Sequence, residues 1–292
     1  MKIRAPAKIN LSLRVVGKRR DGYHLLDTIM VPVSLYDEIE IRKISAAGGK
    51  KVVDRLIKVT CDHPLVPRGD ENIAYKAALL LMRRAGSEQA VHVHIRKRIP
   101  VGAGLGGGSS DAAATLIGLN RLLKLRLSAA KLEKIARSVG ADVPFFIRAR
   151  PARARGIGER LQPIRKLTRF WVVIVYPGFA VSTAWVFKSF SSTLTKPPLN
   201  TSILSSLKSL EKLAGLLHND LESVTLKRYP RLRLIKARLL HEGAVGGLMS
   251  GSGSSVFGVF ASQRQAARAL RRLRKEEGNK AFLVHALIQK IQ

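Results

Sequence analysis

The chain has 292 residues, 46% of them apolar, which is enough to build the cores of one large or two ordinary domains and excludes a chain too polar to fold. Lys and Arg outnumber Asp and Glu by 52 to 20, a formal charge of +32, so the surface favours anionic partners: nucleic acid, acidic lipid or phosphorylated metabolites. The single cysteine, Cys61, rules out an intramolecular disulfide and a cysteine metal cluster, and points to a reducing compartment.

Residues 2–16 alternate as a strand, with no charged segment and apolar core before them, so no secretory signal is read and a cytoplasmic location is expected. "KRRDGYH" supplies a turn with Gly22, and "TIMVPVSLYDEIEIRKI" resumes a β-branched strand pattern. After Gly48-Gly49, "KKVVDRLIKVTCD" reads as a further strand. "ENIAYKAALLLMRRAG" places Ile73, Ala77, Leu80 and Leu81 on one helical face, with Gly86 beyond its end. "AVHVHIRKRIP" alternates again until Pro100 closes it. Ser109 or Ser110 is then expected to cap a helix through "DAAATLIGLNRLL", and Ser128 to start another that stops at Gly140.

Eight basic residues against one acid mark residues 148–169, and a domain boundary is placed near the end of that segment, giving domains 1–164 and 165–292. Beyond it come a buried strand at 170–176, helices near 203–217 and 228–241, glycine-rich "GAVGGLMSGSGSSVFGVF", a basic helix at 264–275 and a last strand, "AFLVHAL". The apolar run at 170 is cut by Pro177-Gly178 and is too short for a bilayer-spanning helix of about 20 residues. The order of elements suits an α+β fold, with C-terminal helices packed on an antiparallel sheet behind a mixed β/α N-terminal domain.

"RIPVGAGLGGGSSDAAA" carries five glycines between positions 102 and 108. Ordered glycine is entropically costly, so the cluster calls for positive φ or for close approach of the backbone to something. Gly102, Gly104 and Gly107 formally fit G-x-G-x-x-G, but the loop follows a hundred residues of chain and no acid stands about 20 residues on, which excludes a dinucleotide fold. No Gly-Lys-Ser/Thr occurs, which excludes a Walker A loop. What remains is the physics common to both: successive N–H groups and a helix start that hold a phosphate chain. Close strand–helix packing, with the serines as plain caps, is the alternative.

"PVGAGLGGGSSDAAA" resembles the phosphate loop P-x-x-x-G-L-G-S-S-A-A of the galactokinase, homoserine kinase, mevalonate kinase and phosphomevalonate kinase (GHMP) superfamily. "APAKINLSLRVVGKRRDGYHLLDTIM" at 5–30 and "GADVPFF" at 140–146 resemble the branch that phosphorylates 4-diphosphocytidyl-2-C-methyl-D-erythritol in the non-mevalonate isoprenoid route, and "MSGSGSSVFG" is similar to the superfamily's third glycine motif. The resemblance runs over the whole chain and implies a two-domain GHMP-kinase-like architecture, the N-terminal domain binding nucleotide and substrate.

It further implies that Pro100, Val101, Gly102, Ala103, Gly104, Leu105, Gly106, Gly107, Gly108, Ser109 and Ser110 hold the ATP phosphates, with Asn72 and Lys97 at the adenine. Asp142 would take the proton of the substrate's 2-hydroxyl, while Lys8 orients that carboxylate and hydroxyl and offsets negative charge. Tyr23 and His24 would hold the cytosine, Phe187 would form its second aromatic wall, and Asn10, Gly251, Ser252 and Gly253 would add substrate contacts. ATP and Mg²⁺ are the implied cofactors, with Ser110 a candidate oxygen towards the magnesium.

By the residues alone, Asp142 reads equally as a turn aspartate before Val143-Pro144, Lys8 as a surface lysine, Tyr23-His24 as a strand start, Phe187 as core and Gly251–Gly253 as the lead-in to a strand. "HNDLE" at 218–222 is assigned to helix packing. Glycine usual in the family after "FFIR" is replaced here by Ala149-Arg150. A basic nucleic-acid-binding protein is the rival reading, but aromatics set among the basic residues are lacking; a homoserine- or mevalonate-type kinase has no use for two rings aimed at a base. The expected partner is a small molecule, with no specific nucleic acid and no membrane, on a monomer or homodimer.

Overall fold

The computed structural model describes residues 1–45, 53–190, 199, 207–276 and 278–288. Two long strands open it, β1 (Lys2–Lys18) and β2 (His24–Lys43). In β1 every residue from Ala5 to Leu13 is buried. Its alternation therefore does not separate a core face from a wet face: Ala7, Ile9 and Leu11 stand on one side, and Lys8, Asn10 and Ser12 on the other must find partners inside the protein.

The chain forms two compact units, and both long strands contribute to each. The first holds Met1–Ala7, Leu35–Val101 and Gly106–Ala149. In it, β2 pairs antiparallel with β4 (Val91–Arg96), from Glu38 opposite Arg96 to Lys43 opposite Val91, and β3 (Ile57–Cys61) runs parallel to β4. Its helices are α1 (Ile73–Ala85), α2 (Gly107–Leu122), α3 (Ala129–Arg137) and α4 (Val143–Arg148). α2 lies directly on the sheet, because a Cβ at Gly118 would stand 2.4 Å from Ile41 Cδ1 and 2.8 Å from Ile3 Cδ1.

The second unit holds Lys8–Ser34, Gly102–Leu105 and Arg150–Gln292. Here β5 (Ala152–Gly156) pairs antiparallel with β2 from Leu26 to Met30, and β6 (Arg160–Pro163) pairs with β5. A separate antiparallel sheet has the order β11-β7-β10-β9, made of β7 (Trp171–Tyr176), β9 (Gly246–Met249), β10 (Val256–Phe260) and β11 (Lys280–His285). Between these strands run α5 (Thr183–Ser189), α6 (Leu210–Leu216), the short β8 (His218–Asn219), which lies parallel to β1, α7 (Glu222–Arg228), α8 (Arg231–His241) and α9 (Gln263–Leu273). Val173, Val175, Leu232, Leu239, Phe260 and Leu273 are central to the core, as the α+β reading requires.

Several local expectations change. The contacts draw no single boundary at 164/165: the units exchange the chain repeatedly, and the last change falls between Ala149 and Arg150. Strands of 17 and 20 residues, at about 3.3 Å per residue, are long enough to pair with one set of neighbours in one half and another set in the other. Of the strand expected at 50–62, Val53–Leu56 is a 3₁₀ turn and only Ile57–Cys61 is extended, while residues 50–52 lie outside the described residues, as do Gly48 and Gly49. The helix expected at 203–217 is helical at Leu210–Leu216, and its first part lies outside the described residues. Neither Ser109 nor Ser110 caps α2; the cap is Gly106 at φ 71°, and both serines lie inside the first helical turns. Among the described residues no helix is long and apolar enough to cross a membrane.

Candidate functional site

The glycine loop divides its backbone groups by direction. In the second unit all four carbonyls of residues 102–105 accept a hydrogen bond: Gly102 O from Val181 N (3.1 Å), Ala103 O from Ser255 N (3.1 Å), Gly104 O from the Ser250 hydroxyl (2.9 Å) and Leu105 O from Lys8 N (2.9 Å). Gly102 and Gly104 reach this arrangement at φ 64° and 75°. With the carbonyls turned into the protein, the N–H groups are what the loop offers an anion. In the first unit Gly106 caps α2, and the first intrahelical bond is Ser110 N to Gly106 O (2.9 Å), so the N–H groups of Gly107, Gly108 and Ser109 precede the helical ladder.

The loop is also close-packed. A Cβ at Gly104 would lie 2.0 Å from Ser250 O, and one at Gly102 2.6 Å from the Ala180 Cβ. Close packing and bonded carbonyls therefore coexist in residues 102–105, because the glycines let the backbone press against protein.

Lys8 is 5% exposed, not a surface lysine. Its ammonium donates to Asn10 Oδ1 (2.6 Å), Asn10 Nδ2 donates to Thr28 Oγ1 (2.8 Å), and the Thr28 hydroxyl donates to Ser12 O (2.6 Å). The third glycine motif meets this point: the Cβ position of Gly251 is 3.1 Å from Gly104 O and 3.5 Å from Lys8 Nζ. Lys8, Gly104 and Gly251 are thus brought together within the second unit. Ser252 shares a 2.8 Å hydroxyl contact with Thr183, and its carbonyl accepts from Thr225 Oγ1 (3.2 Å). Gly251 and Gly253 have φ 56° and 91°.

"HNDLE", expected to serve helix packing, places Leu221 in the core and also clamps this motif. Asn219 Nδ2 donates to Met249 O and Gly251 O, both at 2.8 Å, and Glu222 Oε1 accepts from Met249 N (2.9 Å). No local pattern marks Asn219, because its partners lie 30 and 32 residues further along the chain.

The turn of "KRRDGYH" leaves Tyr23 62% exposed. His24 stacks on Phe187, with centroids 5.3 Å apart and planes at 27°, and meets Phe190 edge-on at 6.1 Å. Phe190 completes a cluster that sequence reasoning named only in part. Burial first, then the charge of Lys18, holds the His24 pKa below its ordinary value.

In the first unit Asp142 stands immediately before α4, half-buried, and makes no side-chain cap bond to that helix. Asn72 and Lys97 are both engaged structurally. Asn72 caps α1, its Oδ1 accepting from Ala74 N (2.8 Å) and its Nδ2 donating to Pro67 O (2.8 Å). The Lys97 ammonium is buried between Asp37 Oδ2 (2.5 Å) and Asp111 Oδ2 (2.8 Å). Burial opposes its charge, but the two carboxylates outweigh that and raise its pKa; burial raises the Asp111 pKa well above the carboxylate range, with Lys97 pulling against it. Among the described residues no cluster of three His, Cys, Asp or Glu side chains could hold a metal. The Ser110 hydroxyl is buried and has no hydrogen-bond partner among the described residues.

Residues 72–150 match the model of the GHMP kinases N terminal domain, and residues 201–280 that of GHMP kinases C terminal. The 4-diphosphocytidyl-2-C-methyl-D-erythritol kinase of Geobacter sp. (strain M21) is 48% identical over 278 residues, covering 95% of this chain and 96% of its own. A crystal structure of 4-(cytidine 5'-diphospho)-2C-methyl-D-erythritol kinase superposes with a TM-score of 0.81 at 37% identity, covering 98% of this chain and 99% of that one. Homoserine kinase from Cytophaga hutchinsonii superposes with a TM-score of 0.75 at 18% identity over 99% of this chain and 95% of that one, a likeness of fold alone.

Proposed function

Since the chain belongs to the GHMP kinases, and among them to the 4-diphosphocytidyl-2-C-methyl-D-erythritol kinase family, we propose that it transfers the γ-phosphoryl group of ATP to the 2-hydroxyl of that substrate. The observation that carries the nucleotide half of this reading is the loop itself. Its four carbonyls at 102–105 are all occupied from within the protein, and its amides lead into the start of α2. Oriented amides of this kind suit a triphosphate tail and need no reorganisation as charge spreads over the transferred group.

Transfer is direct and in-line, with no covalent enzyme intermediate. Asp142 accepts the hydroxyl proton, a role supported by its place in "GADVPFF". Lys8 supplies positive charge for the oxygens of the transferred group, and Asn10 and Thr28 fix where its ammonium points. Tyr23 and the His24–Phe187–Phe190 cluster receive the cytosine, His24 as neutral imidazole through the base edge and Tyr23 by stacking.

The Ser110 hydroxyl, without a hydrogen-bond partner among the described residues, would be the protein's oxygen towards a magnesium ion. When bound, the ion neutralises phosphate charge. The small-molecule acceptor belongs to a protein of the cytoplasm.

The test is direct. The protein is incubated with ATP and Mg²⁺ and, separately, with 4-diphosphocytidyl-2-C-methyl-D-erythritol, homoserine or mevalonate, and ADP release and the phosphorus spectrum of the product are followed. A new phosphomonoester on the 2-oxygen of the cytidyl substrate alone is expected; phosphorylation of homoserine or mevalonate, or of none of the three, refutes the reading.

A further inference from the structure

The Lys97, Asp37 and Asp111 side chains are 3%, 0% and 4% exposed. Three ionisable groups so far from water are costly to keep, and well-packed apolar residues would often hold the same space at no loss. Their value has to lie in what they fix.

Each carboxylate holds a different end of the glycine loop. Asp37 Oδ1 accepts the N–H groups of Arg98 (2.6 Å) and Ile99 (2.9 Å), the two residues before Pro100. Asp111 belongs to the second turn of α2, beyond the last glycine. The Lys97 ammonium joins the two, so the lead-in to the loop and its exit share one cation.

Gly107 fits the same account. It is helical and needs no glycine for its φ, but a Cβ there would stand 3.0 Å from Lys97 Nζ and 3.1 Å from Ile99 Cγ2. Any larger residue at 107 would press on the ammonium and on Ile99.

We propose that Lys97, Asp37 and Asp111 are positioning residues that set the register of the α2 start against the strand end, and so aim the phosphate-binding amides during transfer. This rests on the phosphate-loop reading above. It assigns Lys97 a task other than an adenine contact: its charge is consumed inside the protein, and the nucleotide is left the backbone around it.

The experiment compares Lys97→Met, Asp111→Leu and Asp111→Asn with the wild-type chain, measuring ATP affinity by calorimetry, steady-state kcat and KM, and folded fraction by thermal melting. A displacement of the loop by about 1 Å costs on the order of 100-fold in kcat for Lys97→Met and Asp111→Leu, with ATP affinity held within about 3-fold. Asp111→Asn keeps an oxygen for the ammonium and recovers most of the kcat lost in Asp111→Leu. Where a single variant does not fold, Lys97→Met/Asp111→Leu removes both partners of one ion pair together and is expected to show the same split between kcat and affinity. Wild-type kcat in these variants overturns the proposal, and so does a loss of kcat and ATP affinity together in step with folded fraction, or an Asp111→Asn no better than Asp111→Leu. If the wild-type chain itself fails to bind ATP, the phosphate-loop reading is what has failed; if it binds and turns over while the variants match it, only the positioning role has.

Discussion

Gly104→Ala tests whether the loop is held where it is by contact with the third glycine motif. At φ 75° an alanine costs about 1–2 kcal/mol in the left-handed region. Its Cβ would sit 2.0 Å from Ser250 O, far inside the 3.4 Å at which ordinary contact begins, and also 3.0 Å from Gly253 O. Both obstacles are backbone atoms, so the loop has to move by more than about 1 Å, and the Ser250–Gly104 hydrogen bond, worth about 1 kcal/mol, is lost with it. The total is about 2–3 kcal/mol, a fall in Tm of roughly 5–10 °C for a chain of this size, with kcat lower by about 100-fold in the fraction that stays folded. Thermal melting and steady-state kinetics on the same preparation read both numbers. Gly86→Ala is the control: φ is 56° with nothing within 4 Å, so only the backbone cost of about 1 kcal/mol is expected there and kcat is unchanged. A Gly104→Ala enzyme that melts and turns over like the wild type would refute the claim that Ser250 fixes the loop.

Asp142→Asn is expected to lower kcat by about 10²–10⁴-fold while calorimetric ATP affinity stays as it was. Tyr23→Ala removes one stacking face, worth about 1–3 kcal/mol, and raises KM for the cytidyl substrate by roughly 5–150-fold without a matching change for ATP. The His24 pKa is depressed by burial and Lys18, so the contribution of its neutral form is in place above the ordinary value of 6.5 and lost as pH falls through the folded pKa. KM for the cytidyl substrate should be flat at neutral pH and rise in mildly acidic buffer, and His24→Gln should abolish that rise. Ala149 caps α4 at φ 45°, a left-handed conformation that favours glycine, and Ala149→Gly should raise stability by about 1 kcal/mol and Tm by about 2–4 °C.

Much of the site is legible before folding because its chemistry is local. Positive φ at Gly102, Gly104 and Gly106, a helix starting at once after them and an exposed Tyr23 follow from short runs of residues. The family resemblance adds which carboxylate and which lysine to watch, and residue periodicity locates α1 and α3 within a residue or two, while β4 ends at Arg96, short of the Pro100 expected to close it. The short β5, β6 and α4 escape such a reading, since a basic segment punctuated by Pro and Gly carries no clean period and its strands are fixed by pairing with β2.

That a glycine-rich backbone leads into a helix is written in neighbouring residues, since φ preference and helical spacing are local properties; the GHMP-kinase assignment came from the resemblance of the motifs. What three of the glycines stand against emerges from folding: Ser250, 146 residues away, for Gly104, Lys97 and Ile99 for Gly107, and Ile41 and Ile3 for Gly118. Folding alone placed Asp37 under Arg98 and Ile99 and made Asn219 the clamp of the third motif. The reason is physical: a period of 2.0 or 3.6 fixes which face a side chain occupies, but what lies across from that face depends on how distant segments pack.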